Sequence, residues 1–149
     1  MKILMIDDNK DHQALIKEYI NLLELEKKWD IDTSENLEDS FKKLKIKKYD
    51  VILLDLCLPK TEGIETVEKT FNFLKTSRTK KNKEIPIIVL TCQPDFEIGK
   101  KAMDMGAYDF LIKEKTKSKE LYRAITFATY SKNFPNRPFY SRKKRKFKK

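Results

Sequence analysis

The sequence predicts an α/β fold in which helices cover both faces of a doubly wound, five-stranded parallel sheet. Three short apolar runs are nearly continuous rather than alternating, which is typical of strands buried on both faces. Between and after these runs, apolar residues recur at helical spacing, so that strand and helix alternate five times along the chain. Because strand–helix–strand crossovers are right-handed, this alternation favours the doubly wound arrangement.

The first half of the chain predicts two strands, each followed by a helix. Ile3–Ile6 is a continuous apolar run, and Trp29–Thr33 is a weaker strand. The first helix follows the possible capping residues Asp8 and Asn9, and the second begins at Ser34. The residues that mark these helices are Leu15, Tyr19, Leu22, Leu23 and Glu26 in the first, and Leu37, Phe41 and Leu44 in the second.

The second half predicts three further pairs of strand and helix. Val51–Leu54 and Ile85–Leu90 are continuous apolar runs, and Tyr108–Ile112 follows a turn. We expect Gly106 to end the fourth helix and Ser118 to cap the fifth. The residues that mark these helices are Ile64, Val67, Phe71 and Leu74 in the third, Phe96, Gly99, Lys100 and Met103 in the fourth, and the inward-facing Leu121, Ile125 and Ala128 in the fifth.

The composition indicates one soluble domain and excludes several kinds of site. The chain has 149 residues, and its apolar runs are far shorter than the roughly 18 residues of a membrane helix. With two cysteines and no export signal, we expect a reducing, cytoplasmic setting. The three glycines lack the spacing of a phosphate-binding loop. A single histidine, His12, excludes a histidine-based metal cluster, and we expect it to lie on the protein surface.

The positive charge of the chain is concentrated at its C-terminal end. Nine of the ten net positive charges lie in residues 132–149, which contain no acid, so residues 1–131 are nearly neutral. This basic tail is either a solubilising terminus or a segment that binds nucleic acid or anionic membrane. Its densest part comprises Arg142, Lys143, Lys144, Arg145, Lys146, Lys148 and Lys149.

Polar residues follow four of the predicted strands. Asp7 and Asp8 follow the first strand, Asp55 the third, Thr91 the fourth and Lys113 the fifth. Because ligands bind at the carboxyl ends of parallel strands, we expect these side chains to meet at one edge of the sheet. An alternative for Asp7 and Asp8 alone is that they cap the first helix.

Carboxylates, a lysine and a hydroxyl at one edge indicate phosphoryl chemistry. Three neighbouring carboxylates repel one another unless a hard divalent cation such as Mg²⁺ (or Mn²⁺) binds them. The Lys113 ammonium and the Thr91 hydroxyl would contact phosphoryl oxygens. Asp55 is the best candidate for a carboxylate that attacks phosphorus, because it stands alone after a central strand.

Four segments carry a resemblance to a known family. They are Asp7-Asp8-Asn9, residues 51–59 (VILLDLCLP), residues 85–91 (IPIIVLT) and residues 106–113 (GAYDFLIK). In order and spacing they resemble the receiver domain of bacterial two-component response regulators, here of the single-domain type. The resemblance implies a flavodoxin-like (βα)5 fold with strand order 2-1-3-4-5, a receiver domain at residues 1–131 and a flexible tail at 132–149.

The resemblance also implies roles for particular residues. Asp55 resembles the aspartate that accepts a phosphoryl group from a phosphohistidine of a sensor kinase or relay protein. Asp8, Asp55 and the backbone carbonyl of Cys57 resemble direct Mg²⁺ ligands, and Asp7 resembles the acid that holds the metal through water. Thr91 and Lys113 resemble the residues that contact the phosphoryl group. Phe110 then occupies the aromatic switch position, and the face of helix 4, strand 5 and helix 5 is the expected surface for a downstream protein.

Some positions depart from the common receiver pattern and keep alternatives open. Glu114 follows Lys113 where many receivers have proline. Without proline, a cis peptide bond at this position is unfavourable. This departure keeps open the alternative of a degenerate receiver that acts as an adaptor without phosphorylation. Cys92 follows Thr91 in place of Ala or Gly, and Cys57 and Gln93 occupy positions that tune the lifetime of the phosphorylated state. An enzyme of the haloacid-dehalogenase type needs aspartate where Cys57 stands, so we expect a signalling domain with at most slow self-dephosphorylation.

Overall fold

The computed structural model describes residues 1–23, 29–77, 84–92 and 94–133. Within them, the main sheet has five parallel strands, and a two-stranded antiparallel hairpin lies beside it. The main strands are β1 (Lys2–Ile6), β2 (Asp30–Ser34), β3 (Val51–Leu54), β6 (Ile87–Thr91) and β7 (Asp109–Ile112), and the hairpin consists of β4 (Cys57–Leu58) and β5 (Thr61–Glu62). The helices are α1 (Lys10–Leu23), α2 (Leu37–Ile46), α3 (Ile64–Thr76), α4 (Phe96–Met105) and α5 (Ser118–Asn133).

The strand order of the main sheet is β2-β1-β3-β6-β7. Counted as the five main strands along the chain, this is the predicted order 2-1-3-4-5, which confirms the fold class. The three strands predicted to be covered on both faces are buried throughout, apart from Lys2 at the start of β1. The small β4–β5 hairpin was not predicted, because strands of two residues leave no periodic pattern in a sequence.

Alternating residues of each strand supply two hydrophobic cores, one on each face of the sheet. Leu4 and Ile6 of β1 belong to the core beneath α2, α3 and α4, whereas Ile3 and Met5 belong to the core beneath α1 and α5. Burial of such side chains stabilises the folded state by about 1.5–3 kcal/mol each. The helical residues that complete the two cores include Leu44, Val67, Leu74 and Ala102 on the first face, and Ile16, Ile20, Leu121, Ile125 and Ala128 on the second.

The first helix begins as predicted but buries a different stripe. Its N-cap is Asn9, whose side-chain oxygen accepts hydrogen bonds from the backbone N–H groups of Asp11 and His12. Leu22 is 67% exposed, whereas Ile16 and Ile20 are buried against the sheet. The predicted helical position Glu26 lies outside the described residues.

The second helix begins later than predicted. Ser34 is the last residue of β2 and pairs with Ile6, so it cannot start a helix. Instead, Asn36 caps α2 by accepting a hydrogen bond from the backbone N–H of Asp39 at 2.8 Å. The Ser34 hydroxyl donates to the Asp39 carboxylate, which ties the end of β2 to the first turn of the helix.

The remaining boundaries agree with the predictions to within a few residues. The fourth helix ends at Gly106, which has a φ of 120° and donates its N–H to the carbonyls of Ala102 and Met103. Helix α5 continues to Asn133, and residues 134–149, with most of the basic tail, lie outside the described residues. Among the described helices, none combines the length and the apolar character needed to span a membrane.

Candidate functional site

The sheet order brings the predicted polar residues to one edge, at the carboxyl ends of the strands. Asp55 directly follows β3, and its N–H donates to the carbonyl of Ile6 at 2.9 Å. Lys113 directly follows β7, and its N–H donates to the carbonyl of Thr91 at 2.8 Å. These hydrogen bonds continue the strand ladders by one residue, so that the sheet itself positions the backbone of the site.

Three carboxylates meet at this edge. Asp7, Asp8 and Asp55 each offer an oxygen, and these oxygens lie within 4.8 Å of one another. Asp7 and Asp55 are buried, whereas Asp8 is exposed, so the cluster is open to solvent on one side. An all-oxygen donor set with one open side fits a hard divalent cation that keeps some of its water ligands. The residues present therefore fit Mg²⁺.

A lysine lies between the two buried carboxylates. The Lys113 Nζ atom is 2.5 Å from Asp7 Oδ2 and 3.2 Å from Asp55 Oδ2, and the lysine side chain is only 8% exposed. An ammonium group in this position neutralises part of the negative charge of the cluster. The structure thus joins residues 7, 55 and 113, which the sequence could relate only through the expected order of the strands.

Burial and charge shift the proton affinities in this group. Burial raises the pKa of Asp55 above its ordinary value; the Lys113 charge lowers this pKa, and the Asp7 charge raises it. Burial lowers the pKa of Lys113, but the hydrogen bond to Asp7 and the charges of Asp55 and Asp7 outweigh it, so that this pKa is raised. The lysine therefore stays charged at neutral pH.

The side chains of the predicted switch lie on the neighbouring strands. Thr91, the last residue of β6, is fully buried. Phe110 of β7 is partly buried, and its ring lies against Gly99 of α4, where an added Cβ atom would come within 3.0 Å of the ring. The absence of a side chain at Gly99 therefore leaves room for the Phe110 ring beneath α4. The sequence places Gly99 on α4 but does not indicate this contact.

The two cysteines are exposed, and one of them begins the hairpin. Cys57 pairs with Glu62 across β4 and β5, and its N–H lies 3.4 Å from Asp55 Oδ1. Burial and the charge of Asp55 raise the pKa of the Cys57 thiol. Gln93, the other predicted lifetime position, lies outside the described residues. The described residues contain no cis peptide bond, so the bond between Lys113 and Glu114 is trans.

One residue makes a contact in the site that was not predicted. We expected His12 to lie on the surface, yet its Nδ1 atom is 2.8 Å from Lys113 Nζ and 3.8 Å from Asp7 Oδ2. The ring is 32% exposed, so it lines the site rather than standing free in solvent. The sequence feature that could have indicated this contact is the position of His12 in the first turn of α1, one turn beyond the acidic residues Asp7 and Asp8.

The comparisons with known proteins agree with this architecture. The sequence matches the family model of the response regulator receiver domain over residues 3–126. The transcriptional regulatory protein ResD of Bacillus subtilis is 30% identical over 112 residues, which cover 75% of this chain and 41% of ResD. The chain spans less than half the length of the first curated relatives that it matches.

Solved structures share the fold. A two-component response regulator from Clostridium difficile is 27% identical and has a TM-score of 0.72, covering 89% of this chain and 98% of its own. The receiver domain of the sensor histidine kinase PA1611 from Pseudomonas aeruginosa is 24% identical and has a TM-score of 0.67, covering 87% of this chain and 98% of its own. That structure has a magnesium ion coordinated in its active site cleft.

The raised pKa of Asp55 predicts a pH-dependent effect of Asp55→Asn on stability. Because the folded state binds the Asp55 proton more tightly than the unfolded chain, this group lowers the free energy of unfolding as pH rises above 3.8. We therefore expect Asp55→Asn to stabilise the metal-free protein at pH 7, with a gain that disappears in acid. Urea unfolding in EDTA across this pH range measures the effect.

The matched control is Asp104→Asn, at an exposed position on α4. It should change the free energy of unfolding by no more than about 0.5 kcal/mol. If Asp55→Asn lowers stability at pH 7 while the control does not, the pairing of Asp55 with Lys113 outweighs its burial, and the predicted sign is wrong.

Proposed function

Because the chain belongs to the response regulator receiver domain family, we propose that it accepts a phosphoryl group on Asp55 from a phosphohistidine of a sensor kinase or phosphotransfer protein. The observation that carries this proposal is the contact of one buried ammonium with two carboxylates, at 2.5 Å from Asp7 and 3.2 Å from Asp55. Such a group can bind the oxygens of an incoming phosphoryl group at the place where the acceptor carboxylate lies.

The transfer converts Asp55 into an acyl phosphate. A carboxylate oxygen of Asp55 forms a bond to phosphorus, the phosphorus–nitrogen bond of the donor breaks, and the electron pair stays on the imidazole of the donor. Asp55 is favoured over Asp7 because its contacts are longer, at 3.2 Å to Lys113 and 3.4 Å to the Cys57 N–H, against 2.5 Å and 2.9 Å for those of Asp7 to Lys113 and to the Asn9 N–H. It is favoured over Asp8 because Asp8 is exposed. Lys113, already 3.2 Å from Asp55, then pairs with a phosphoryl oxygen, and the Thr91 hydroxyl donates to another.

The acidic cluster supports a requirement for Mg²⁺, with Mn²⁺ as an alternative. Asp8, Asp55 and the backbone carbonyl of Cys57 would hold the ion directly, and Asp7 would hold it through water. When bound, the cation supplies positive charge that neutralises the phosphoryl oxygens during the transfer. The open side of the cluster, next to the exposed Asp8, leaves room for both the ion and the donor.

We further propose that phosphorylation is signalled through the face of α4, β7 and α5. In this arrangement, the Thr91 side chain moves when the phosphoryl group is bound. The Phe110 ring, which packs on Gly99, then moves with Thr91. The same face includes Phe127, which is 49% exposed, next to Tyr108 and Met103. Exposed aromatic side chains are frequent at protein interfaces, so a downstream protein is the expected occupant of this face.

A second candidate function rests on the basic tail. Nine positive charges without an acid in residues 132–149 can bind phosphates with release of counterions. This proposal is independent of Asp55, and it also covers an adaptor that acts without phosphorylation. It differs from the first candidate function because binding by the tail should weaken strongly as the salt concentration rises.

Phosphorylation is tested with acetyl phosphate and intact-protein mass spectrometry. We expect the wild-type chain to gain one phosphoryl group in Mg²⁺ and none in EDTA, because the cation is needed to offset the charge of the cluster. Asp55→Asn should remain unmodified, and the control Asp104→Asn should be phosphorylated normally. A phosphoryl group that persists in Asp55→Asn would contradict the assignment of the acceptor.

The tail is tested by comparing the full chain with residues 1–133, which retain all of α5. We expect the full chain to bind duplex DNA or phosphatidylserine vesicles, with a DNA affinity that falls steeply with salt, by a slope of about −0.9 per phosphate contacted. The truncated chain should lose this binding. Equal binding by the two chains would reject a role for the tail.

A further inference from the structure

The single histidine of the chain contacts the lysine of the proposed phosphoryl site. His12 lies in the first turn of α1, and its Nδ1 atom is 2.8 Å from the Nζ atom of Lys113, although the two residues are 101 positions apart. Because an ammonium group can only donate hydrogen bonds, Nδ1 is the acceptor in this pair. The lone pair of Nδ1 then faces the ammonium group.

This contact completes the hydrogen bonding of the ammonium group. Lys113 has three donor hydrogens, and the structure places three acceptors around them: Asp7 Oδ2, Asp55 Oδ2 and His12 Nδ1. The lysine side chain is only 8% exposed, so few of these donors could turn to water instead. His12 therefore accounts for a third of the direct contacts that fix the charged end of Lys113.

The histidine is itself held against the end of β1. Its backbone N–H donates to Asn9 Oδ1 at 3.1 Å, and the N–H of Asn9 donates to Asp7 Oδ1 at 2.9 Å. In the next position, the buried Gln13 donates from Nε2 to the carbonyl of Asp7 at 2.6 Å. The first turn of α1 is thus tied to the same residue that contacts Lys113, which fixes the backbone of His12 beside the site.

The three acceptors differ in what the proposed chemistry does to them. Asp55 would lose its carboxylate charge on becoming an acyl phosphate and would also ligate the divalent cation, whereas Asp7 would hold the cation through water. His12 takes part in neither process, and a neutral imidazole is a poor ligand for Mg²⁺. It is therefore the one acceptor of the three that remains unchanged when the others are engaged.

We propose that His12 is a positioning residue that holds the Lys113 ammonium over Asp55 before and after phosphorylation. This inference rests on the proposed function for its effect on the phosphorylation rate, but not for the contact itself. Without His12, Lys113 keeps two acceptors whose charge is drawn away in the reaction. The ammonium group then occupies other positions for part of the time, so a smaller fraction of encounters with the donor leads to phosphorylation.

Two variants separate positioning from a merely structural role. His12→Ala removes the acceptor, whereas His12→Gln offers an amide oxygen on a side chain of similar reach. The control is Glu18→Ala, which removes an exposed side chain from the same helix. All of them are compared with the wild-type full chain.

The first measurement is the proton–nitrogen NMR signal of the Lys113 ammonium in EDTA, assigned by its absence in Lys113→Arg. In His12→Ala, we expect the exchange of these protons with water to be faster by about tenfold, the change expected from losing one hydrogen bond to a charged group. The second measurement is the rate of phosphorylation by acetyl phosphate in Mg²⁺, which should fall by about tenfold in His12→Ala.

The inference predicts that His12→Gln recovers most of both losses and that Glu18→Ala shows none. It is overturned if His12→Ala stays within about twofold of wild type in both measurements, or if the two His12 variants lose equally. If the wild-type chain accepts no phosphoryl group at all, the proposed function fails, whereas the NMR signal in EDTA still decides whether His12 holds Lys113.

Discussion

The ammonium of Lys113 lies between two buried carboxylates, and this ion-pair cluster determines how the site at the sheet edge is built. Asp7 and Asp55 follow adjacent strands, and their oxygens come within 4.8 Å of each other and of Asp8. Burial weakens the screening by water, so these charges would repel strongly without a cation between them. The lysine that supplies the cation follows β7, which is separated from β3 by β6, so its long side chain reaches across the end of the sheet.

The stability of the fold comes from elsewhere. Buried ion pairs contribute little net stability, because the loss of hydration offsets much of their attraction. The two apolar cores on either face of the sheet provide the burial that holds the strands in register. Burying the charged groups of the site therefore costs free energy of folding, which the apolar cores offset. The raised pKa of Asp55 reflects that cost. Perturbed pKa values of this kind are typical of groups that take part in a reaction rather than only stabilising the fold.

The sequence predicted the sheet and the edge residues for the same reason. Continuous apolar runs such as Val51–Leu54 identify buried parallel strands, and the polar residue that follows each run must lie at the carboxyl edge. The proximity of Asp55 and Lys113 could therefore be predicted from the sequence alone. The apolar stripe of α1 was less certain, because leucines and isoleucines occupy several faces of that helix, and the structure buries Ile16 and Ile20 while leaving Leu22 exposed.

Two features of the site could not be read from the sequence. The β4–β5 hairpin has strands of two residues, too short for any alternation to show. The contact of His12 with Lys113 depends on how α1 packs on the sheet and on the direction of two long side chains, neither of which a residue pattern encodes. Net charge was also a poor guide to the site: most of the +10 belongs to the tail, whereas the sheet edge carries a cluster of acids.

The central claim is that this edge accepts a phosphoryl group on one particular carboxylate. The most direct test is to treat the phosphorylated full chain with borohydride, which reduces an aspartyl phosphate to homoserine, and to locate the change by peptide mass spectrometry. We expect homoserine at position 55 alone. Homoserine at position 7 or 8, or its absence from a chain that carries phosphate, would contradict it.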